Sequence, residues 1–156
     1  MAKRHESLIL LARDHHEALL LALRLQQGTL ALLRLWTHDP VDQAKRVVAF
    51  YDQHLRRHFA EEELIVFAIA RKNLPASEPI IDTLVAEHRT MEVAISKFRS
   101  ANKESLEDDL RAFGALLESH IRTEDRSLFP LIESQASQTV LNDIQYGFNF
   151  FEDRRL

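Results

Sequence analysis

Histidine and glutamate recur in this sequence at a spacing that brings two side chains to one face of a helix. The pattern His-xxx-Glu stands at residues 58–62, 88–92 and 120–124. A step of four residues in an α-helix turns by about 400°, so the two side chains lie only about 40° apart, one turn along the axis. Imidazole nitrogens and carboxylate oxygens presented from one helical wall can bind a metal ion. The tetrapeptide is weak by itself, so its surroundings must decide what it indicates.

The second half of the chain repeats the first. Residues 58–69 align with residues 120–131 at an offset of 62, and residues 8–25 align with residues 81–98 at an offset of 73. Each half therefore contains one segment with a single histidine and a following segment with His-xxx-Glu. The matched residues are Asp14 with Glu87, His15 with His88, His58 with His120, Glu62 with Glu124, Glu63 with Asp125 and Phe67 with Phe129.

The elements that must position these residues are predicted to be long helices. Only 3 glycines and 4 prolines occur in 156 residues, and few segments alternate apolar and polar positions, which indicates an all-α fold. Short connections between long amphipathic helices favour an antiparallel up-down-up-down four-helix bundle with a short C-terminal helical tail. Residues 1–156 are expected to form a single domain, with the bundle at about 7–132. The predicted helices are Ser7–Trp36, Pro40–Lys72 with Asp39 as N-cap, Glu78–Ala101, and Ser105 to Pro130, which kinks or ends it; the tail covers 138–156.

The four matched histidines are predicted to lie at one level inside the bundle. His15 is 23 residues before a turn near residue 38 and His58 is 20 after it, while His88 and His120 are 15 before and 17 after a turn near residue 103. On the fourth helix, His120 continues the apolar stripe and so faces the core. Buried carboxylates beside these imidazoles need a compensating charge, which one divalent metal ion or a pair supplies. The alternative without a metal is a buried network of hydrogen bonds.

Six side chains form the predicted metal site. Divided between two ions, they give two imidazoles to each ion and two carboxylates long enough to bridge, with positions left open for water, hydroxide or a small ligand. The chain has no cysteine, which excludes thiolate ligands, and the mixture of imidazole and carboxylate fits a di-iron centre best, with manganese or zinc as alternatives. The six are His15, His58, Glu62, His88, His120 and Glu124. Further candidates left open are Glu92, His54, Asp125 and Glu61, and His16 in place of His15.

The order of these residues resembles the hemerythrin-like HHE cation-binding family over about residues 8–132, with Phe67 and the pair Phe129-Pro130 following the two His-xxx-Glu motifs. The resemblance implies a four-helix bundle around a non-haem di-iron site, with the four histidines as terminal ligands and the two glutamates as bridges. It also implies that the small partner is O2, NO, peroxide or iron itself. Oxygen-carrying hemerythrins resemble one another in having HxxxH on the third helix. Glu92 replaces the second histidine here, which argues against reversible oxygen carriage.

Two functions remain open from the sequence: a di-iron domain that binds or senses a small ligand or handles iron, and a redox enzyme that decomposes peroxide or oxidises ferrous iron. With 20 basic and 24 acidic residues, we expect no nucleic-acid partner. The longest apolar stretch near the start, Leu8–Ala12, is too short for a signal peptide or a membrane span, so we expect a soluble cytoplasmic protein without a membrane partner. The aromatic tail is expected to close the bundle or to form a homodimer.

Overall fold

The computed structural model describes residues 3–26, 34–100 and 104–153. These ranges are helical with short connections and contain no β-strand, which confirms the all-α fold. Helix α1 is Ile9–Leu25, preceded by a 3-10 turn at Glu6–Leu8; α3 is Glu78–Arg99, preceded by a 3-10 turn at Pro75–Ser77; and α5, the tail helix, is Gln138–Asp153. Helix α2 covers 40–73 in five continuous segments, Pro40–Phe50, Tyr51–Leu55, Arg56–Glu61, Glu62–Phe67 and Ala68–Asn73. Helix α4 covers 106–135 as Leu106–Thr123, Glu124–Leu128 and Phe129–Gln135.

Helices α1 to α4 form an antiparallel bundle with two apolar clusters. Helix α1 packs on α4, and α3 packs on both α2 and α4. One cluster contains Phe59 and Leu117, and the other contains Leu11 and Phe67. Along each helix the predicted site residues lie near the boundary at which members of one cluster give way to members of the other, so a polar layer lies between two apolar ones. None of the helices in the described ranges combines the length and apolar character that crossing a membrane requires.

The first helix is shorter than predicted. It ends at Leu25, residues 27–33 lie outside the described part of the chain, and Trp36 is not helical. The residues before α2 instead form its cap, because the Asp39 side chain accepts a hydrogen bond from the Val41 N–H at 3.1 Å and Pro40 occupies the first turn. The predicted start of α2 is thus confirmed. The last predicted residues of the third helix and the tail, Ala101 and 154–156, lie outside the described ranges.

The prediction that the fourth helix could end at Pro130 is wrong, because α4 continues to Gln135. The alternative, that Pro130 kinks the helix, stays a prediction. A π-helical segment, Glu124–Leu128, immediately precedes the α-helical segment that contains Pro130. The Phe129 N–H donates a hydrogen bond to the carbonyl oxygen of Glu124, five residues before it. In an α-helix it would donate to the residue four before it. The hydrogen-bond pattern has therefore already changed where proline, which has no N–H, enters the helix.

The π-helical segments coincide with the two central glutamates. Glu62–Phe67 begins at one of them and Glu124–Leu128 at the other, and these positions match in the internal repeat. A third π segment, Tyr51–Leu55, precedes His58. Such turns often occur at functional sites. The hydrophobic periodicity of the sequence did not predict them.

Helix α5 closes one end of the bundle, as predicted. It packs against the Glu6–Leu8 turn and against the last segments of α2, with Ile144 and Phe148 buried. Gly147 allows this approach, since a Cβ there would lie 2.7 Å from Cγ2 of Ile65. Tyr146 stays 71% exposed. The homodimer remains a prediction.

Close packing of α1 on α4 depends on Gly114. A Cβ at this position would lie 2.8 Å from both the Ala22 carbonyl oxygen and the Leu25 Cβ, neither of which can move without moving α1. We expect Gly114→Ala to lower the free energy of unfolding by about 1–2 kcal/mol, because overpacking outweighs the better helix propensity of alanine. Urea unfolding measures this change. The exposed control Ser119→Ala should shift the unfolding free energy by less than about 0.5 kcal/mol; an equal or higher stability of Gly114→Ala would contradict the prediction.

Candidate metal centre

Six side chains from four helices meet in the polar layer between the two apolar clusters. All are buried, with 5% or less of their surface exposed. Their potential ligand atoms form two groups, within each of which all atoms lie within 4.8 Å of one another. The first group is His15, His58, Glu62 and Glu124, and the second is Glu62, His88 and His120. The structure therefore brings together all six residues that the sequence predicted for a metal site.

Glu62 lies between the two groups. Its Oε1 is 2.8 Å from Nε2 of His58, which precedes it by one helical turn, and its Oε2 is 3.1 Å from Nε2 of His88 on α3. The distance from Oε1 to Nε2 of His15 is 3.9 Å. One carboxylate thus faces imidazoles from three helices, which is the arrangement that a bridging ligand requires.

Glu124 has the equivalent position on α4. Its Oε2 is 3.1 Å from Nε2 of His15, and its Oε1 is 3.6 Å from Nε2 of His120 one turn before it. The Nε2 atoms of His120 and His88 are themselves only 3.1 Å apart. Each glutamate therefore contacts the histidine of its own helix and a histidine of a neighbouring helix.

The outer nitrogen of every histidine in the cluster faces a second carboxylate. The Nδ1 distances are 3.0 Å from His15 to Asp125, 3.1 Å from His58 to Asp14, 2.7 Å from His88 to Glu63 and 2.7 Å from His120 to Glu87. When Nδ1–H donates to such a carboxylate, the Nε2 lone pair of a neutral imidazole is directed inward. Histidines that bind metals almost always have this outer acceptor, which fixes the ring and its tautomer.

Sequence reasoning assigned no role to three of these outer carboxylates, Asp14, Glu63 and Glu87. A signal for them was present, because the repeat matches Asp14 with Glu87 and Glu63 with Asp125. Matched residues also make matched contacts, the first pair with the histidines of α2 and α4 and the second pair with those of α1 and α3. Asp125, predicted as a competitor for the bridging position, instead contacts Nδ1 of His15.

Phenylalanine rings pack against the imidazoles. The Phe129 ring is stacked on His15 with a centroid distance of 5.6 Å, and the Phe67 ring is stacked on His88 at 5.8 Å. Phe59 covers His88 at 3.9 Å. The two matched phenylalanines of the sequence motif therefore pack against matched histidines.

The imidazole pKa values reflect the carboxylates around them. Burial acts to lower the pKa of His15, but contacts with Asp125 and Glu124 outweigh burial and raise the pKa to about 12. Burial also opposes the charged form of His58, where the charge of Glu62 dominates and raises the pKa to about 10. These two rings therefore hold a second proton at neutral pH when protein groups alone surround them.

The pKa values of the two central carboxyl groups diverge. Burial acts to raise the pKa of Glu62, but the charge of His58 and the neighbouring imidazoles hold it well below its usual range. Burial and the negative charge of Glu62 raise the pKa of Glu124. Two carboxylates in one dry layer repel each other, so the layer favours added positive charge.

The buried oxygens fit a metal ion. Both carboxylate oxygens of Glu62 and both of Glu124 are fully buried. Imidazole Nε2 atoms lie 2.8–3.6 Å from them, but none of these contacts among the described residues has the geometry of a hydrogen bond, and Nε2 of His15 is likewise without one. Buried polar atoms without a partner are rare in proteins, and each is costly. Divalent cations take carboxylate oxygen and imidazole nitrogen as ligands, so a metal would satisfy these atoms.

Two of the further candidate ligands pair with arginine. Glu92 contacts Arg89 with an Nη1–Oε2 distance of 2.6 Å. Glu61 is buried, and its Oε1 lies 2.6 Å from Nε of Arg57. Neither glutamate belongs to the two groups of potential ligand atoms found among the described residues.

The other candidate histidines lie at the surface. His54 is exposed and packs against the Phe50 ring at a centroid distance of 5.0 Å. His16 is also exposed, since it follows His15 by about 100° around α1. The inward position on α1 therefore belongs to His15.

The comparisons with known proteins agree with this geometry. The family model of the hemerythrin HHE cation binding domain matches residues 7–132. No curated protein sequence and no solved structure matched the chain. The matched range contains all six residues of the two groups and ends before α5. The chain, in which buried histidines and glutamates converge from four helices, belongs to the hemerythrin HHE cation-binding domain family.

Proposed function

We propose that this chain is a non-haem di-iron protein whose centre binds a small uncharged ligand such as O2 or NO. The supporting observation is the pair of potential ligand groups that share Glu62, together with four buried carboxylate oxygens that accept no hydrogen bond from described residues. In this proposal His15 and His58 bind one iron, His88 and His120 bind the other, and Glu62 and Glu124 bridge them.

Iron is proposed because of the donor set. Four imidazoles and two carboxylates offer borderline and hard ligands, without the thiolates that select zinc or copper(I). When bound, an iron pair supplies redox activity and open coordination positions for a small ligand. The protein's own groups would fix the imidazoles through their outer carboxylates and through the phenylalanine rings stacked on them.

A narrow pocket beside the site supports a small ligand. It reaches His58 and His120, one histidine from each group, and has room for about one water-sized molecule. Its mouth includes Asp14 and His54, which are exposed. Its inner walls are the buried apolar side chains of Ala18, Leu55, Phe59, Leu117 and Ile121.

The apolar walls favour an uncharged ligand. An anion passing them would lose its hydration without gaining a hydrogen-bond donor from the apolar side chains, whereas a neutral diatomic molecule has little hydration to lose. The proposed role is therefore ligand binding and sensing. Sustained consumption of peroxide or ferrous iron by the loaded protein would instead identify a redox enzyme.

The first prediction concerns metal loading. Protein loaded with ferrous iron under anaerobic conditions and then desalted should retain two irons per chain, one for each group. Glu62→Gln should lose both, because the amide has the same shape but no charge with which to bridge. His16→Gln, on the exposed face of α1, should load like the wild type. Metal analysis and the absorption spectrum after exposure to air are the measurements.

The alternative without a metal gives the opposite results. Wild-type protein would then stay free of iron, and Glu62→Gln would leave the free energy of unfolding unchanged or raise it, since a buried charge is removed. A folded wild type that retains no iron would refute the proposal.

The second prediction concerns pH. Because the pKa values of His15 and His58 are raised to about 12 and about 10, both rings are protonated near neutral pH in metal-free protein and must release a proton to bind iron. Metal affinity should therefore rise with pH between about pH 6 and about pH 8. Calorimetric titration in two buffers with different ionisation enthalpies measures the protons released. Equal heats in both buffers would contradict this prediction.

The third prediction concerns ligand entry. Leu117 is fully buried and lines the pocket, whereas Leu116 one residue along faces a different groove. Leu117→Phe should fill the pocket and raise the entry barrier by about 1–3 kcal/mol, slowing NO binding about 5- to 160-fold. Iron content should stay at two per chain. Stopped-flow measurement of NO binding should give a wild-type rate for the control Leu116→Phe; equal rates for both variants would exclude this route.

A further inference from the structure

Arg4 connects the N-terminal segment to the candidate metal centre. Its Nη2 donates to the Asp125 backbone carbonyl at 3.0 Å and lies 3.8 Å from the Asp125 carboxylate, which contacts Nδ1 of His15. Its guanidinium also lies over the Phe129 ring, 5.2 Å from the centroid, and that ring is stacked on His15. Two routes therefore run from one guanidinium to one imidazole. The other guanidinium nitrogen of Arg4, Nη1, lies 2.6 Å from Oε1 of Glu133.

Arg89 makes the corresponding contacts at the other metal-ligand group. It donates to the Glu63 carboxylate, whose Oε1 is 2.7 Å from Nδ1 of His88. Glu92 contacts the other guanidinium nitrogen, Nη1, at 2.6 Å. The result is a second series of contacts in the same order, from carboxylate to arginine to carboxylate to imidazole.

We call these two series of contacts the arginine relays. They follow the internal repeat only at the carboxylate and the histidine nearest the metal-ligand groups. Asp125 matches Glu63 and His15 matches His88, but Arg4 comes from before the repeat and Arg89 from within it. The family match begins at residue 7, so Arg4 also lies outside the matched range. Two unrelated positions in the chain thus supply the same group at the same place.

The other two imidazoles have no such support. Asp14 and Glu87, which face His58 and His120, form no ion pair with arginine or lysine among the described residues. The Asp14 side chain is 56% exposed, whereas that of Asp125 is 32% exposed. The outer carboxylates of His15 and His88 therefore each contact an arginine. The outer carboxylates of His58 and His120 form no ion pair with arginine or lysine among the described residues.

We propose that Arg4 and Arg89 are positioning residues, one for each metal-ligand group, which fix Asp125 and Glu63 and through them the rings of His15 and His88. The inference rests on the proposed metal binding. A guanidinium presents its N–H groups in a rigid fork, so it can hold the inner carboxylate and the outer one in fixed relative positions. With the outer carboxylate fixed, the imidazole would keep its inward lone pair directed at the bound metal ion.

The test measures metal affinity by competition with a chelator for Arg4→Gln and Arg89→Gln. Loss of the carboxylate that contacts a metal-bound histidine typically lowers metal affinity about 10- to 100-fold. The arginines act through that carboxylate, so each variant should fall by about tenfold, the lower end of this range. The matched controls Glu133→Gln and Glu92→Gln remove only the far carboxylate of each relay. They should lower affinity by less than about threefold, since Glu133 and Glu92 contact only the arginine and not a histidine of the site.

A double-mutant cycle separates positioning from general stability. If Arg4 acts through Asp125, as proposed, and not through the Phe129 ring, then Arg4→Gln combined with Asp125→Asn should bind metal no more weakly than Asp125→Asn alone. The same should hold for Arg89→Gln with Glu63→Gln. Arg4→Lys keeps the charge without the fork and should restore only part of the affinity. Additive losses, or losses matched by a fall in the unfolding free energy of metal-free protein, would overturn the relays.

The outcomes also separate this inference from the proposed function. Wild-type metal binding with unchanged affinity in both arginine variants would overturn the relays and leave the di-iron proposal intact. Failure of the wild type to bind any metal would overturn both.

Discussion

Glu62 and Glu124 place four carboxylate oxygens in the middle of an apolar bundle, where no described residue donates a hydrogen bond to them. An uncompensated carboxylate in such a place is unfavourable by several kcal/mol, so positive charge must lie close by. The surrounding groups alternate in character outward from that point: imidazoles face the glutamates, acidic side chains face the imidazoles, and on two sides arginines face the acidic side chains. A bound cation would complete this order at the centre.

The two halves of the chain build this layer in the same way. Matched residues occupy matched places: Glu62 and Glu124 begin π-helical segments, the phenylalanines five residues later stack on histidines, and each outer carboxylate contacts a histidine of another helix. The two apolar clusters lie on either side of this polar layer and consist of hydrophobic side chains. Three features depart from the repeat, and all lie at the periphery of the layer. They are Arg4, helix α5 and the pocket beside His58 and His120.

Much of this could be predicted from the sequence, because spacing alone places residues on helix faces. The bundle, the cap at Asp39 and the convergence of six side chains followed from periodicity, distance to the turns and the repeat. The π segments could not be predicted, since they depend on tertiary packing at Glu62 and Glu124, and without them Pro130 indicates a helix end. The roles of Glu63 and Asp14 were missed because a carboxylate beside a ligand histidine contacts a partner far away in sequence. Arg4, more than a hundred residues from Asp125, gave no local signal.

The shared glutamate is the central claim, and anomalous diffraction from crystals of the iron-loaded protein tests it most directly. Data collected on either side of the iron absorption edge should show two peaks per chain, about 3.5–4 Å apart, with a Glu62 oxygen next to each. One histidine pair should flank each peak. A single peak, or two peaks that Glu62 does not join, would contradict a bridged pair of metals.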